Sequence, residues 1–313
     1  MPGIKELKTR IKSIGGTRKV TRAMQMVSAA KMRKSQDATL RSRNYSTLAW
    51  ELVLNLSSSE QIAAGLLKTY PKAEKAAVLV LSTNRGMVGS LNSNLLNLVQ
   101  KTIETEVRGL PSGTEGNPRL ETDFITYGRK GRDVMVKSHK EVLADFVKYD
   151  RVITTADILP IAQFISTLYS SGKYQKVLIF YNHFVSTLAQ KPTVKQLLPF
   201  IQASAGESPR VTLGPGNFQD RGLPSAQTTE YLFEPNSKEV LEHLLPRIIE
   251  SQIYQTILES EASEQSARMV MMKNATEAAG DLITDLTLTF NKLRQNKITT
   301  ELAEITAGKI ALE

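Results

Sequence analysis

With 313 residues, 41% of them hydrophobic and 23% charged, the chain has length enough for two domains and the composition of an ordinary water-soluble protein. Zero cysteines exclude disulfides, thiolate metal sites and cysteine nucleophiles, and no uncharged apolar run approaches the roughly 18 residues that a membrane-spanning helix needs. His139, His183 and His243 stand too far apart to form a ligand motif, and the net charge of +9 gathers at one end of the chain.

Pro2 and Gly3 lead straight into a helical pattern, as expected of a protein made and used in one cytoplasmic compartment. Ile4, Leu7, Ile11 and Ile14 form an apolar seam at helical spacing. Gly15 and Gly16 interrupt it at a cost of about 1 kcal/mol each against alanine, which predicts a bend or a shift of phase. The seam resumes with Val20, Met24 and Val27 and runs on through Met32, Leu40, Leu48, Leu52 and Leu56. A helix over 4–57 would be roughly 80 Å long.

This first rod is basic. Residues 1–45 carry twelve Lys or Arg against Glu6 and Asp37, a net of +10 that exceeds the charge of the whole chain. A solvated helical face accounts for such a run, as would an acidic protein surface around it or nucleic acid. Nucleic acid is the weaker reading, because no aromatic residues interleave with the charges and no reader motif follows.

Ser, Gly and Pro over 58–73 end the rod and open a middle domain. Ala76–Ser82 is a continuous apolar run of strand length, expected in a parallel sheet covered on both faces. An amphipathic helix follows over about 91–107, then a polar connector over 109–120 and a second strand over 123–127. Helices are predicted over 129–136 and 158–169, the latter with Pro160 in its first turn, and a third strand over 176–181. Val185–Leu188 and Thr193–Leu198 read as a hairpin around the intervening AQKP. Strands alternating with helices predict a Rossmann-like α/β unit. Residues 203–229, rich in Ser, Gly, Pro and Thr, read as a mobile surface loop, with a short strand over 229–233 and a turn before the last element.

Within this domain Thr83–Asn92 (TNRGMVGSLN) is a glycine-bearing turn between a buried strand and a helix, a place where phosphates bind. The spacing is G-x-x-G, with no Walker lysine and no acidic residue after a second strand, so tight-turn geometry explains Gly86 and Gly89 better than a nucleotide does. Neither a carboxylate pair, a triad nor a metal cluster stands out, so no catalytic, cofactor-binding or metal-ligating residue is assigned and no cofactor is expected.

From Pro246 onward neither proline nor turn cluster stops a helix. Leu244, Ile248, Ile249, Ile253, Ile257, Leu282, Leu286, Phe290, Leu293, Ile298, Leu302 and Ile305 recur at three and four. Such a helix is roughly 100 Å long, too long for one globular core to wrap. Two seamed rods that flank a compact domain are expected to pair antiparallel, with the longer one projecting at its end and with stutters where the spacing departs from strict heptads. The predicted organisation is thus a helix over 1–57, a central α/β domain over 74–234 and a helix over 237–313, the two helices forming a long antiparallel coiled coil.

The two ends also carry a resemblance. Ile4–Gln36 (IKELKTRIKSIGGTRKVTRAMQMVSAAKMRKSQ), Ser263–Ile283 (SEQSARMVMMKNATEAAGDLI) and Phe290–Glu313 (FNKLRQNKITTELAEITAGKIALE) resemble the signature ends of the F-type ATP synthase gamma subunit family. STNRGMVGSLN is similar to that family's Ser-Asp-Arg-Gly-Leu-Cys-Gly turn, with Asn84 where aspartate is usual and Val88 where cysteine is common; Lys309 stands where the closing motif has alanine. No chloroplast-type cysteine insertion is present, so thiol control is not expected.

The resemblance implies a non-catalytic central rotor shaft, one copy per complex, whose coiled coil turns inside a hexamer of alternating alpha and beta subunits. Its α/β domain would stand on the membrane ring of c subunits beside the epsilon subunit, peripheral to the cytoplasmic face of an energy-transducing membrane, and couple proton or sodium flow to ATP synthesis. One asymmetric shaft in a threefold ring contacts each catalytic subunit differently, so its angle sets the affinity of each site and linkage lets hydrolysis drive it backwards. By resemblance Arg22, Met24, Arg268, Gln295, Thr299 and Glu301 are the shaft-to-hexamer contacts. A non-catalytic basic coiled-coil adaptor, nucleic-acid binding included, is the alternative that the charge alone supports, and a nucleotide-binding enzyme is the one that the Gly86 turn alone supports.

Overall fold

The computed structural model describes residues 3–57, 66, 68–104, 120–151, 153–199 and 237–310, with backbone only for 43–57, 237, 238, 240–242 and 308–310. The polar connector before residue 120, the loop over 203–229 and the strand over 229–233 therefore lie outside the described residues. In chain order the elements are α1 (Ile4–Ser57), β1 (Lys75–Leu81), α2 (Leu91–Thr102), β2 (Glu121–Tyr127), α3 (Arg129–Lys137), β3 (Val142–Phe146), α4 (Thr155–Ser170), β4 (Tyr174–Phe184), β5 (Gln190–Leu198) and α5 (Ser237–Ile310). Two compact units are distinct: Met1–Ala29 with Arg268–Glu313, and Ala30–Ala267.

The larger unit is built on one mixed sheet of order β3-β2-β1-β4-β5, parallel except for β5, which turns back on β4. β1 is central and buried on both faces, which is why its sequence is continuously apolar instead of alternating. Ala77, Leu79 and Leu81 point to one face, where α4 contributes Ile158, Ile161 and Ile165 and α5 contributes Leu245, Ile248, Ile249, Ile253 and Ile257. Ala76, Val78 and Val80 point to the other, covered by Leu95 and Val99 of α2 and Met135 of α3. Each such side chain, fully buried, contributes roughly 1.5–3 kcal/mol, so this two-faced core supplies the main stabilisation of the unit.

β3 was not expected: it is a short edge strand in which exposed Leu143 and Asp145 alternate with half-buried Val142, Ala144 and Phe146. The hairpin is real but displaced, since Val185 and Ser186 both donate to the Ala189 carbonyl in the turn and Pro192, read as part of a loop, sits in β5 opposite Asn182. A proline is tolerated there because β5 is, among the described residues, an edge strand with one side unpaired. α4 starts at Thr155, earlier than expected, behind a capping box in which Asp157 accepts from the Thr154 amide and hydroxyl, at 2.9 and 2.7 Å. Pro160 therefore lies beyond the first turn.

The smaller unit joins the start of α1 to the end of α5. Thr276 donates its hydroxyl to that of Thr21 at 2.8 Å, and four residues further on Gly280 lies beside the Arg18 guanidinium, so the two helices of this pair run antiparallel. The expected disruption of heptads in α1 does not occur. The helix is continuous through Gly15 and Gly16, and in this unit Ile4, Leu7, Ile11, Ile14, Thr21, Gln25 and Ser28 are all buried or half-buried at one unbroken three-four spacing, with exposed Arg18 in the remaining place; Met32, Ser35, Thr39 and Ser42 of α1, buried or half-buried at the same spacing, belong to the larger unit. Small polar residues take the inward positions after the glycines, while Val20, Val27 and Leu40 face outward.

Candidate functional site

In the smaller unit several of the residues that the two helices leave outward are large and apolar. Val20, Met26 and Val27 on α1 and Leu282, Leu288, Ile298, Leu302 and Ile305 on α5 are exposed, Leu288 at 65% and Ile305 at 70%. Leu286, Phe290 and Leu293 are half-buried, and beyond them the seam residues Ile298, Leu302 and Ile305 emerge into solvent. Isolated exposed leucines are ordinary, but apolar residues held at three and four along one helix make a stripe that a partner can cover.

The six residues assigned by resemblance all fall in this unit. Arg22 is exposed and Met24 half-buried. Gln295, Thr299 and Glu301 are exposed within two turns of α5: the Thr299 hydroxyl donates to the carbonyls of Gln295 and Asn296 at 3.0 and 2.8 Å, and Glu301 pairs with Lys297 at 3.5 Å. That ion pair is well exposed and contributes at most about 1 kcal/mol, so Glu301 is held loosely. Arg268 differs from the rest in being buried.

Within the larger unit lies a polar centre that sequence reasoning missed. Ser260–Ala267 is buried around its whole circumference although it reads SEASEQSA. Glu264 accepts from the Lys148 ammonium at 2.5 Å, both side chains being 6–7% exposed, and Lys148 also lies 5.9 Å from the centre of the Tyr127 ring. Glu261, 3% exposed, has one carboxylate oxygen without a hydrogen-bond partner among the described residues. Burial pushes its carboxyl up to about 7, with Lys148 and Lys31 opposing that shift and Glu264 and Asp150 adding to it. Burial, and then the charge of Glu261, raises the Tyr127 phenol as well. The only sequence signal was a run of small polar residues, which does not point to Lys148, 116 residues away.

The Thr83–Asn92 turn is committed to the protein itself. Asn92 donates to the Thr83 hydroxyl at 2.8 Å, Thr83 donates to the Arg85 carbonyl at 2.7 Å, and Arg85 pairs with Asp150 at 2.9 Å. Asn84 donates to the Lys148 carbonyl at 2.7 Å and accepts from the Arg129 amide at 3.2 Å. Val88 packs with Leu91 and Ala267. Met87 and Gly89 both have positive φ, so the turn is tight at its tip. Among the described residues no group of three His, Cys, Asp or Glu is placed to hold a metal, and no helix is long and apolar enough to cross a membrane.

Comparison with known proteins covers the full length. A family profile described as ATP synthase matches residues 3–312. The chain is 39% identical over 315 residues to the ATP synthase gamma chain of Chloroflexus aurantiacus, covering 100% of this chain and 99% of the relative. It is 37% identical over 313 residues to the gamma chain of Pelotomaculum thermopropionicum, covering 100% of both. Among solved structures it is similar to a chain of the Euglena gracilis mitochondrial ATP synthase rotor in rotational state 1, with a TM-score of 0.60, 19% identity and coverage of 94% of this chain and 98% of that one. A chain from the c-ring-bearing assembly of the same enzyme in rotational state 3 gives a TM-score of 0.64 at 20% identity, over 99% of this chain and 94% of that one.

Proposed function

The chain belongs to the ATP synthase gamma-chain family, and from that premise we propose that it is the central rotor shaft of an F-type ATP synthase, coupling ion flow through a membrane ring to ATP synthesis by rotation. The observation that carries the reading is the exposed apolar stripe on the helix pair, which an isolated protein has no reason to keep and which a surrounding ring would cover. Its partners are the alpha and beta subunits of the hexamer, the epsilon subunit and the ring of c subunits, with one shaft per complex. The chain itself is non-catalytic and works peripherally at the cytoplasmic face of an energy-transducing membrane.

Arg22, Met24, Gln295, Thr299 and Glu301 are the shaft side of the contact with the hexamer; Arg268 joins them by resemblance alone, since its side chain is buried. Function divides along 1–57, 74–234 and 237–313, the helices meeting the hexamer and the α/β domain meeting epsilon and the ring. The net +10 of residues 1–45 gives the shaft a basic collar facing acidic segments of the catalytic subunits. A basic adaptor has no support among relatives that are gamma chains from end to end. The test is to tag the chain in its own host and measure the native mass and ATPase activity of what copurifies. A large ATPase holding one copy of the chain, together with an isolated chain that does not turn over ATP, is the expected result; a nucleic-acid complex or a free monomer overturns it.

A further inference from the structure

A rotor must not slip within itself. Over 260–267 five of the eight side chains of α5 are small, Ser260, Ala262, Ser263, Ser266 and Ala267, and every residue of the eight is buried. Shallow ridges of this kind interlock weakly with their surroundings, so apolar packing alone resists rotation of the helix about its axis poorly. Directional polar bonds take over that task here, and they come from two sides. The β4–β5 hairpin holds one face: Ser263 donates to the Asn182 carbonyl at 2.8 Å, Ser266 donates to the Thr187 carbonyl at 2.8 Å, His183 meets Glu259 at 2.9 Å, and Lys195 donates to Gln252. Taking about 100° per residue, positions 252, 259, 263 and 266 lie within about 60° of one another. Glu264 lies about 130° from the centre of that arc, where Lys148, on the segment after β3, grips it from the other side.

We propose that Lys148–Glu264 and the β4–β5 hairpin together form a torsional anchor, which fixes the azimuth of α5 within the α/β domain and passes torque between helix and domain at residues 259–266. The inference rests on the rotor reading and names the residues through which the shaft holds its base. Position is what such a pair supplies: the cost of desolvating two charges offsets most of the attraction, so a buried ion pair adds little net stability while one broken partner is strongly destabilising. Its geometry is further fixed because the carbonyl of Lys148 is itself held by Asn84 and because Lys31 donates to the neighbouring Asp150 carbonyl at 2.9 Å.

The experiment uses the assembled complex with its hexamer immobilised and a bead attached to the α/β domain, and reads the angular variance of the bead during a stalled dwell. The double variant Lys148→Met with Glu264→Gln removes one grip without stranding a charge. It is expected to raise the angular variance by up to about two-fold, since one of two opposed polar grips is lost while the other and the packing of Ile248, Ile253 and Ile257 on the sheet remain, and the thermal midpoint and hexamer ATPase stay at parental values. The swap Lys148→Glu with Glu264→Lys is expected to restore stiffness, which a purely structural role of either residue would not predict. Should the double variant fail to fold, Ser263→Ala with Ser266→Ala loosens the opposite grip with the same expected rise. Parental variance in whichever of the loosened variants fold overturns the anchor. A parental bead that never rotates overturns the rotor reading itself, and the anchor with it.

Discussion

The side-chain amide of Asn84 donates to the main-chain carbonyl of Lys148 at 2.7 Å and accepts from the main-chain amide of Arg129 at 3.2 Å, tying the turn after β1 to the segments on either side of the α3–β3 unit. Only a side chain that both donates and accepts completes this bridge. An aspartate, the residue usual in the family's turn, would set a carboxylate against the Lys148 carbonyl. Asn84→Asp is therefore expected to destabilise the protein by about 1–3 kcal/mol, the loss of a hydrogen bond plus an unsatisfied carbonyl, read as a lower denaturant midpoint with an unchanged slope. Equal midpoints for the two proteins would show that the bridge carries no weight.

Gly128, at the junction of β2 and α3, has φ 103°, and a Cβ placed on it would lie 2.5 Å from the Ser82 carbonyl oxygen. That oxygen belongs to backbone and cannot swing aside. Ser82 in turn donates to the Gly128 carbonyl at 2.9 Å and accepts from the Gly131 amide at 2.8 Å, so β1, β2 and α3 converge on this one glycine. Gly128→Ala should cost at least about 2 kcal/mol, from the left-handed backbone together with the clash. A thermal midpoint within 1 °C of the parent's contradicts this.

The exposed stripe yields a prediction with two readouts. Ile298, Leu302 and Ile305 lie in solvent in the chain by itself, so Ile298→Ser with Leu302→Ser should leave the stability of the isolated chain within about 0.5 kcal/mol of the parent. If the ring covers them, each loses roughly 1.5–3 kcal/mol of burial, and dissociation from the hexamer should accelerate at least about tenfold. Unchanged dissociation would place these residues outside the interface.

The sequence displayed the core well where a residue's surroundings are simple. β1 is legible because both of its faces are buried, and α5 because neither proline nor turn cluster interrupts it after Pro246. What the period does not reveal is which partner a seam meets: Ile248, Ile249, Ile253 and Ile257 cover the sheet, while Met272 and Ala279, further along the same helix, are buried in the smaller unit. β3 escaped notice because an edge strand of five residues with Asp145 on it has no apolar run to show. The inward face of α1 was undercounted because Thr21, Ser28 and Ser35 occupy heptad positions that a hydrophobic scan passes over. As for the candidate site, its polar members were legible only through resemblance, whereas the Lys148–Glu264 pair joins positions 116 apart and leaves no local trace.

Glu261 makes the stability of the larger unit depend on pH, with a sign opposite to that of an ordinary paired carboxylate. Its carboxyl is pushed up to about 7 from 4.5 chiefly by burial, and one of its oxygens has no hydrogen-bond partner among the described residues. The charged groups around it are Lys148 and Lys31, which favour its ionised form, and Glu264 and Asp150, which disfavour it; the Tyr127 phenol, kept neutral by burial, faces it as well. The folded state thus binds the proton more tightly than the unfolded chain does. The stability gained is complete below about pH 4.5 and is lost as pH rises through about 7, a change on the order of 3 kcal/mol over that window. Glu261→Gln keeps the size and removes the titration. The variant should match the parent near pH 5, exceed it in thermal midpoint at pH 8, and show a flatter midpoint between the two. The comparison of parent and variant isolates this carboxyl from the many exposed acids that titrate lower. A parent-minus-variant difference that is the same at pH 5.5 and pH 8 would mean that Glu261 is ionised in the folded protein across the whole range, its burial compensated by Lys148 after all.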